Sequence, residues 1–284
     1  MPAPHRFGAV SLDGPFPGIE LAYVEWGEAR AGRTVLCVHG LTRNSRDFDT
    51  LATALADAGA RVIAVDVPGR GRSSRLADPN LYNNATYAAQ IAAFCLKLGL
   101  VRIDWVGTSM GGIIGMMLAA NPVTNVTRLV LNDAGPFIDK DAIAQIAAYV
   151  GLDLRFDSFA ELERHLRIIH AGFGALTDDQ WRHMATHSAR RDADGWRLSY
   201  DPAIRVPYAG RASGDVDLWP LWERIRCPTF VLRGGESRIL SAATAARMAE
   251  TGPRAVVETL PGIGHAPGLM NAGQIEIVRR WLGL

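Results

Sequence analysis

The sequence predicts an α/β domain: a mostly parallel sheet interrupted once by a long helical insertion. Three observations predict it. Short apolar runs alternate with longer helical patterns, the rhythm of strand–helix–strand units. That rhythm breaks from about Gly135 to Asp217, where helical pattern rich in Arg, His and aromatic residues replaces strand alternation. It resumes at Thr229. A chain of 284 residues, 48% apolar and 21% charged, can bury a large core without disulfides or metal.

Each element has its own signal. Ile19–Trp26 reads as an early strand and Thr34–Val38 as a buried one, continuously apolar as in a sheet covered on both faces. Leu51–Ala58 reads as a short helix, and Arg61–Asp66 as the next strand. Thr86–Leu98 is helical with Thr86 as its N-cap. Ile103–Val106 is a strand running into Gly107-Thr-Ser-Met-Gly111, followed by a helix, Gly112–Ala120, apolar almost all round. Thr127–Leu131 is the strand before the insertion. An insertion of roughly 80 residues exceeds any ordinary loop and requires its own packing, as a cap or lid. After it come strand Thr229–Arg233, helix Ala242–Glu250 capped by Ser241, strand Val256–Leu260 and helix Gln274–Leu282. The expected division is therefore a core of residues 1–134 and 218–284 with a cap of residues 135–217.

Composition narrows the function classes. The net charge of +1 gives no reason to expect nucleic acid or an anionic membrane as partner. No apolar run approaches the roughly 20 residues of a membrane span. The N-terminus lacks the charged-then-apolar pattern of a signal peptide. Cys37, Cys95 and Cys227 form no CxxC pair and no disulfide framework, which points to a reducing, cytoplasmic setting. No His/Cys/Asp cluster has metal-ligand spacing along the chain, so no metal is expected. The turn Gly69-x-Gly71 lacks the third glycine of a dinucleotide fingerprint and does not follow the first strand. No cofactor is expected.

Three motifs carry chemistry. Gly107-Thr108-Ser109-Met110-Gly111, between a strand and a buried helix, permits the sharp turn that exposes a serine nucleophile at the carboxyl end of a sheet. His39-Gly40-Leu41 follows the strand Thr34–Val38. Acyl transfer needs two donors aimed at the developing oxyanion, and the N–H groups of Leu41 and Met110 are the candidates. The His39 side chain is read as structural. Pro261-Gly-Ile-Gly-His265, just past the last strand, presents a general base on a flexible turn. His5, His165, His170, His183 and His187 are read as surface or cap residues. The cluster Arg164, His165, Arg167 and His170 is a solvated cap face or a contact for an acidic substrate. Trp181, Trp196, Trp219 and Trp222 are read as packing between cap and core.

Taken in order with Asp66-Val-Pro-Gly-Arg-Gly-Arg-Ser73, these motifs resemble the α/β-hydrolases, over about Tyr23 to Leu282. The resemblance implies an eight-stranded sheet with a helical cap after strand six. Leu131-Asn-Asp-Ala-Gly-Pro136 resembles the cap entry of carbon–carbon bond hydrolases, enol-lactonases and (acetamidomethylene)succinate hydrolases. In most such relatives the triad acid is an Asp shortly after strand seven, and that position here holds Arg238. A cation cannot orient the imidazole. Two carboxylates can substitute: Asp133, at the end of strand six, and Glu236, two residues before the usual position.

The expected activity is cofactor-independent hydrolysis of an ester, lactone, amide or activated carbon–carbon bond in a small carbonyl substrate, through Ser109, His265 and Asp133. A serine rather than an Asp nucleophile argues against dehalogenase and epoxide-hydrolase chemistry. Two alternatives stand beside it: a small-molecule-binding protein on the same fold, favoured by Arg238, and a perhydrolase using the same triad. Monomer and homodimer are both compatible with the sequence.

Overall fold

The structure, a computed structural model, describes residues 5–208 and 214–284. Its centre is one eight-stranded sheet built from β1 (His5–Ser11), β2 (Glu20–Trp26), β3 (Thr34–Val38), β4 (Arg61–Val65), β5 (Ile103–Thr108), β6 (Val126–Asn132), β7 (Thr229–Gly234) and β8 (Val256–Leu260). The strand order is β1-β2-β4-β3-β5-β6-β7-β8. β2 runs antiparallel to both neighbours, and all pairings from β4 to β8 are parallel.

Alternate residues of the buried strands feed two cores, as the period-two pleat requires. Leu36, Val38, Ile63 and Val65 face one layer; Val35, Cys37, Val62 and Ala64 face the other. Helices α1 (Asp49–Asp57) and α8 (Ala272–Leu282) cover the second face through Leu51, Leu55, Val278 and Leu282. Helices α2 (Asn84–Lys97), α3 (Met110–Ala119) and α7 (Ala242–Glu250) cover the first through Ile91, Phe94, Ile114 and Met248. Helix α3 is buried along most of its length, as its apolar sequence predicts.

Three expectations need correction. Strand β1 has no counterpart in the sequence reading. It is an edge strand, mostly exposed, so it lacks the apolar alternation that marks a half-buried strand. Helix α2 is capped by Asn83, whose side chain accepts the Thr86 N–H at 3.0 Å; Thr86 already lies inside the first turn. The segment between β6 and β7 is not purely helical. Beside α4 (Lys140–Tyr149), α5 (Phe159–Ile169) and α6 (Asp178–Ser188) it holds a three-stranded antiparallel sheet of Arg155–Phe156, Gly195–Leu198 and Ala189–Asp192. Phe137–Ile138 also pairs with Val216–Asp217. Strands of two to four residues are too short for periodicity to reveal. Part of the expected insertion, residues 209–213, lies outside the described residues. Leu162, Leu166 and Tyr200 of this segment join the same apolar cluster as α2 and α3.

Candidate active site

The site starts at the turn between β5 and α3. Ser109 holds φ 52° and ψ −112°, a conformation that costs a non-glycine residue energy and persists only where its surroundings enforce it. The surroundings are tight. A Cβ on Gly111 would fall 1.9 Å from the Val38 carbonyl oxygen, and one on Gly107 2.3 Å from that of Gly111. Only glycines allow α3 to start this close to β3 and β5. The N–H of Met110, first residue of α3, has no intrahelical acceptor and points from the positive end of the helix.

Sheet register then places Asp133 beside Ser109. Thr108 pairs with Asn132, so the next residues of the two strands, Ser109 and Asp133, leave the sheet side by side. Asp133 also has positive φ, 52°, which Asp tolerates better than most residues. Its carboxylate is fully buried. It accepts the Gly234 N–H at 2.9 Å on one oxygen, and the Ser237 hydroxyl and His265 Nδ1–H, each at 2.6 Å, on the other. A buried charge needs such partners. The Nδ1 proton is committed to Asp133, so the Nε2 lone pair faces the Ser109 hydroxyl, 2.9 Å away.

Of the two candidate carboxylates, the fold brings Asp133 to His265 and leaves Glu236 apart. Glu236 is exposed, and its side chain makes no hydrogen bond to His265 among the described residues. The cause is local. Ser237 turns inward onto Asp133 and its hydroxyl accepts the Ile239 and Leu240 N–H groups, which leaves residues 236 and 238 on the outside of the turn. Arg238 is exposed beside it.

The loop after β3 closes the other side of Ser109. Gly40 backs onto Ser109, and Leu41 lines the cavity beside it. Buried Arg70 holds this loop: its Nε donates to the Leu41 carbonyl at 2.8 Å, while Nη1 donates to the Pro68 carbonyl and the Tyr87 hydroxyl. His39 is structural. Its Nε2 accepts the Val67 N–H at 3.0 Å, its Nδ1–H donates to the Gly40 carbonyl, and burial pushes its pKa down to about 3.

The His265 loop is held from two directions. Asn132 donates to the Pro267 carbonyl at 2.8 Å. The carbonyls of Gly172 and Phe173, in the inserted segment, accept the N–H groups of Gly264 and Gly268 at 2.8 and 3.0 Å. Sequence reading missed Ser237, Arg70 and this backbone clamp. Buried hydroxyls and guanidiniums carry no motif, and carbonyl contacts leave no trace in residue type.

Two cavity lobes meet at Ser109 and His265. One, of 330 Å³, is walled by Ile113, Ile138, Ile143 and Val216, with Asn83, Asn84 and Asp215 at its polar side. The other, of 820 Å³, includes Arg43, Gln145, His170, Glu236 and Arg238. Leu41, Ile146, Tyr149 and Ile239 border both.

The remaining predicted residues fall elsewhere. Arg167 pairs with Glu163 and Asp178, and the His165 ring packs on Phe156. Of the Arg164–His170 cluster, His170 alone borders the described cavities, stacked on Phe173 with its pKa held low by burial. Trp181 packs with Met184 and Met270, and Trp222 donates to the Thr251 carbonyl. Among the described residues one cluster has metal-ligand spacing that chain distance conceals: atoms of Asp49, His183 and His187 lie within 4.8 Å of one another. There Arg46 already forks onto the Asp49 carboxylate at 2.8 and 2.5 Å, and its carbonyl accepts from His183 Nε2 at 3.1 Å.

A serine at a strained strand-to-helix turn, a histidine after the last strand and a buried carboxylate meet in one hydrogen-bonded chain on this sheet. The family model described as "alpha/beta hydrolase fold" matches residues 33–271. The chain belongs to that family, and it is an enzyme of the α/β-hydrolase type. It is 41% identical to the 3-hydroxybutyrate-oligomer hydrolase of Cupriavidus necator, over 98% of this chain and 97% of that one. It is 28% identical to the 2-(acetamidomethylene)succinate hydrolase of Mesorhizobium japonicum, over 84% of this chain and 83% of that one. A crystal structure of an α/β hydrolase from Novosphingobium aromaticivorans superposes with a TM-score of 0.87 at 34% identity, covering 99% of each chain.

Proposed function

We propose that this enzyme is a cofactor-independent serine hydrolase of carboxylic esters, with oligomers of short hydroxyacids as its substrates. The observation that carries the reading is the unbroken hydrogen-bond chain Ser109–His265–Asp133 where the two cavity lobes meet. The likeness to the oligomer hydrolase favours an ester over the lactone, amide or carbon–carbon bond that the same machinery would serve.

In this reading Ser109 Oγ attacks the ester carbonyl carbon and its proton passes to His265 Nε2. Asp133 stabilises the imidazolium. The N–H groups of Leu41 and Met110 hold the oxyanion, and Arg70 keeps the Leu41 loop in place. His265 then protonates the leaving alkoxide. Water, activated by the same imidazole, releases the acid from Ser109. Residues 135–217 act as a cap over residues 1–134 and 218–284. Its support is that Ile138, Ile143, Tyr149 and His170 border the lobes at Ser109. Unpaired Cys37, Cys95 and Cys227 fit a cytoplasmic setting.

The non-catalytic alternative drew on the cation at position 238. Asp133 supplies a carboxylate in its stead, which weighs against that alternative. Hydrolysis of a 3-hydroxybutyrate dimer and trimer by the wild type and by Ser109→Ala tests the reading. Turnover should fall at least ~10³-fold in the variant. Equal rates would refute it.

A further inference from the structure

The larger lobe contains a cation that the triad does not use. Arg238 borders the cavity with Ser109 and His265 and makes no ion pair or hydrogen bond with another described side chain. Other arginines around the site are engaged: Arg43 with Asp47 and Ser188, Arg70 with backbone carbonyls, Arg233 with the Leu240 carbonyl. The position of Arg238 is also fixed. Its neighbour Ser237 is bonded to Asp133, which is bonded to His265, so the backbone that carries Arg238 stands three hydrogen bonds from the reacting serine. Ile239, next in the chain, lines both lobes.

We propose that Arg238 is a carboxylate-binding residue of the active site, selecting ester substrates that carry a free carboxylate on the alcohol side of the scissile bond. The inference rests on the hydrolase reading above and adds the chemical class of substrate end that the larger lobe takes. A guanidinium is always charged and matches a carboxylate with two parallel N–H donors. Glu236 borders the same lobe but makes no ion pair with Arg238, so the guanidinium donors are not taken up by it. An oligomer of a hydroxyacid ends in this group. In this proposal the carboxylate sits at Arg238 in the larger lobe, the ester carbonyl at Ser109 where the lobes meet, and the acyl unit in the smaller lobe. The position that holds the triad acid in related enzymes thus carries the opposite charge, and Asp133 frees it for this use.

The test compares two matched esters, a 3-hydroxybutyrate dimer with its free carboxylate and the methyl ester of the same dimer cleaved at the same internal bond. The readout is the ratio of kcat/KM for acid over methyl ester in the wild type, Arg238→Gln and Arg238→Lys. The wild type should favour the acid. Arg238→Gln should lower the ratio about 10–100-fold, through KM of the acid, as expected for a charge-assisted hydrogen bond. Arg238→Lys should recover part of it by restoring charge without the fork. A ratio in Arg238→Gln equal to the wild-type ratio overturns the inference and leaves the hydrolase reading standing. No cleavage of either ester by the wild type overturns both.

Discussion

Asp133 Oδ2 lies 2.6 Å from His265 Nδ1, although 132 positions separate the two residues. The contact follows from register: Thr108 opposite Asn132 sets Ser109 and Asp133 abreast, and one imidazole reaches both. Asp133→Asn keeps the shape and removes the charge. In serine proteases that kind of change costs about 10⁴-fold in kcat, and a loss of about 10³–10⁴-fold is expected here because Glu236 does not reach the ring. Glu236→Gln should stay within about threefold of wild type, since an exposed carboxylate off the hydrogen-bond chain takes no part in the transfer. Steady-state kinetics on one activated ester separates the two.

Ser237→Ala removes one of the three donors to a buried carboxylate and the acceptor for two backbone N–H groups. A fall in kcat of about 5–30-fold and a loss of about 1–3 kcal/mol of stability are expected. Urea unfolding and kinetics on the same preparation check both. An unaltered kcat would show that Gly234 N–H and His265 suffice to hold Asp133.

Gly111→Ala places a methyl group on the Val38 carbonyl, with backbone on both sides. The expected cost exceeds about 3 kcal/mol, above the usual range for overpacking, because no side chain can rotate away. Thermal unfolding of the variant measures it.

Acid should weaken the fold through His39. Its folded-state pKa, about 3, lies below the ordinary histidine value, so between about pH 6.5 and 3 the unfolded chain binds the extra proton. Stability therefore rises with pH across that window, by an amount on the order of 5 kcal/mol. His187, lowered to about 4 by burial and by Arg46, adds a slope of the same sign. His39→Gln should be less stable at pH 8 yet show a shallower decline below pH 6.5. Denaturant titrations at several pH values test the sign.

Much of this site is legible in residue order because steric necessity writes it there. Glycines at 107 and 111 are the only residues that fit, and they bracket Ser109. Asp133 is legible as a candidate because strand six adjoins the strand that leads to Ser109; Glu236 stands beside it because residue order does not show which way the turn at Ser237 points. Strand β1 and the short strands of the insertion were not legible, for they bury too few side chains to impose a pattern. The carbonyl clamp from Gly172 and Phe173 onto the His265 loop is backbone chemistry, which any residue supplies.

The central claim is that Ser109 is an activated nucleophile. Intact-protein mass after brief exposure to a fluorophosphonate, followed by peptide mapping, measures that reactivity directly. One adduct on Ser109, absent in Ser109→Ala and formed at least ~10²-fold more slowly in His265→Ala, is the expected result. No adduct on the folded wild type, or an adduct on another residue with Ser109 free, would contradict the claim.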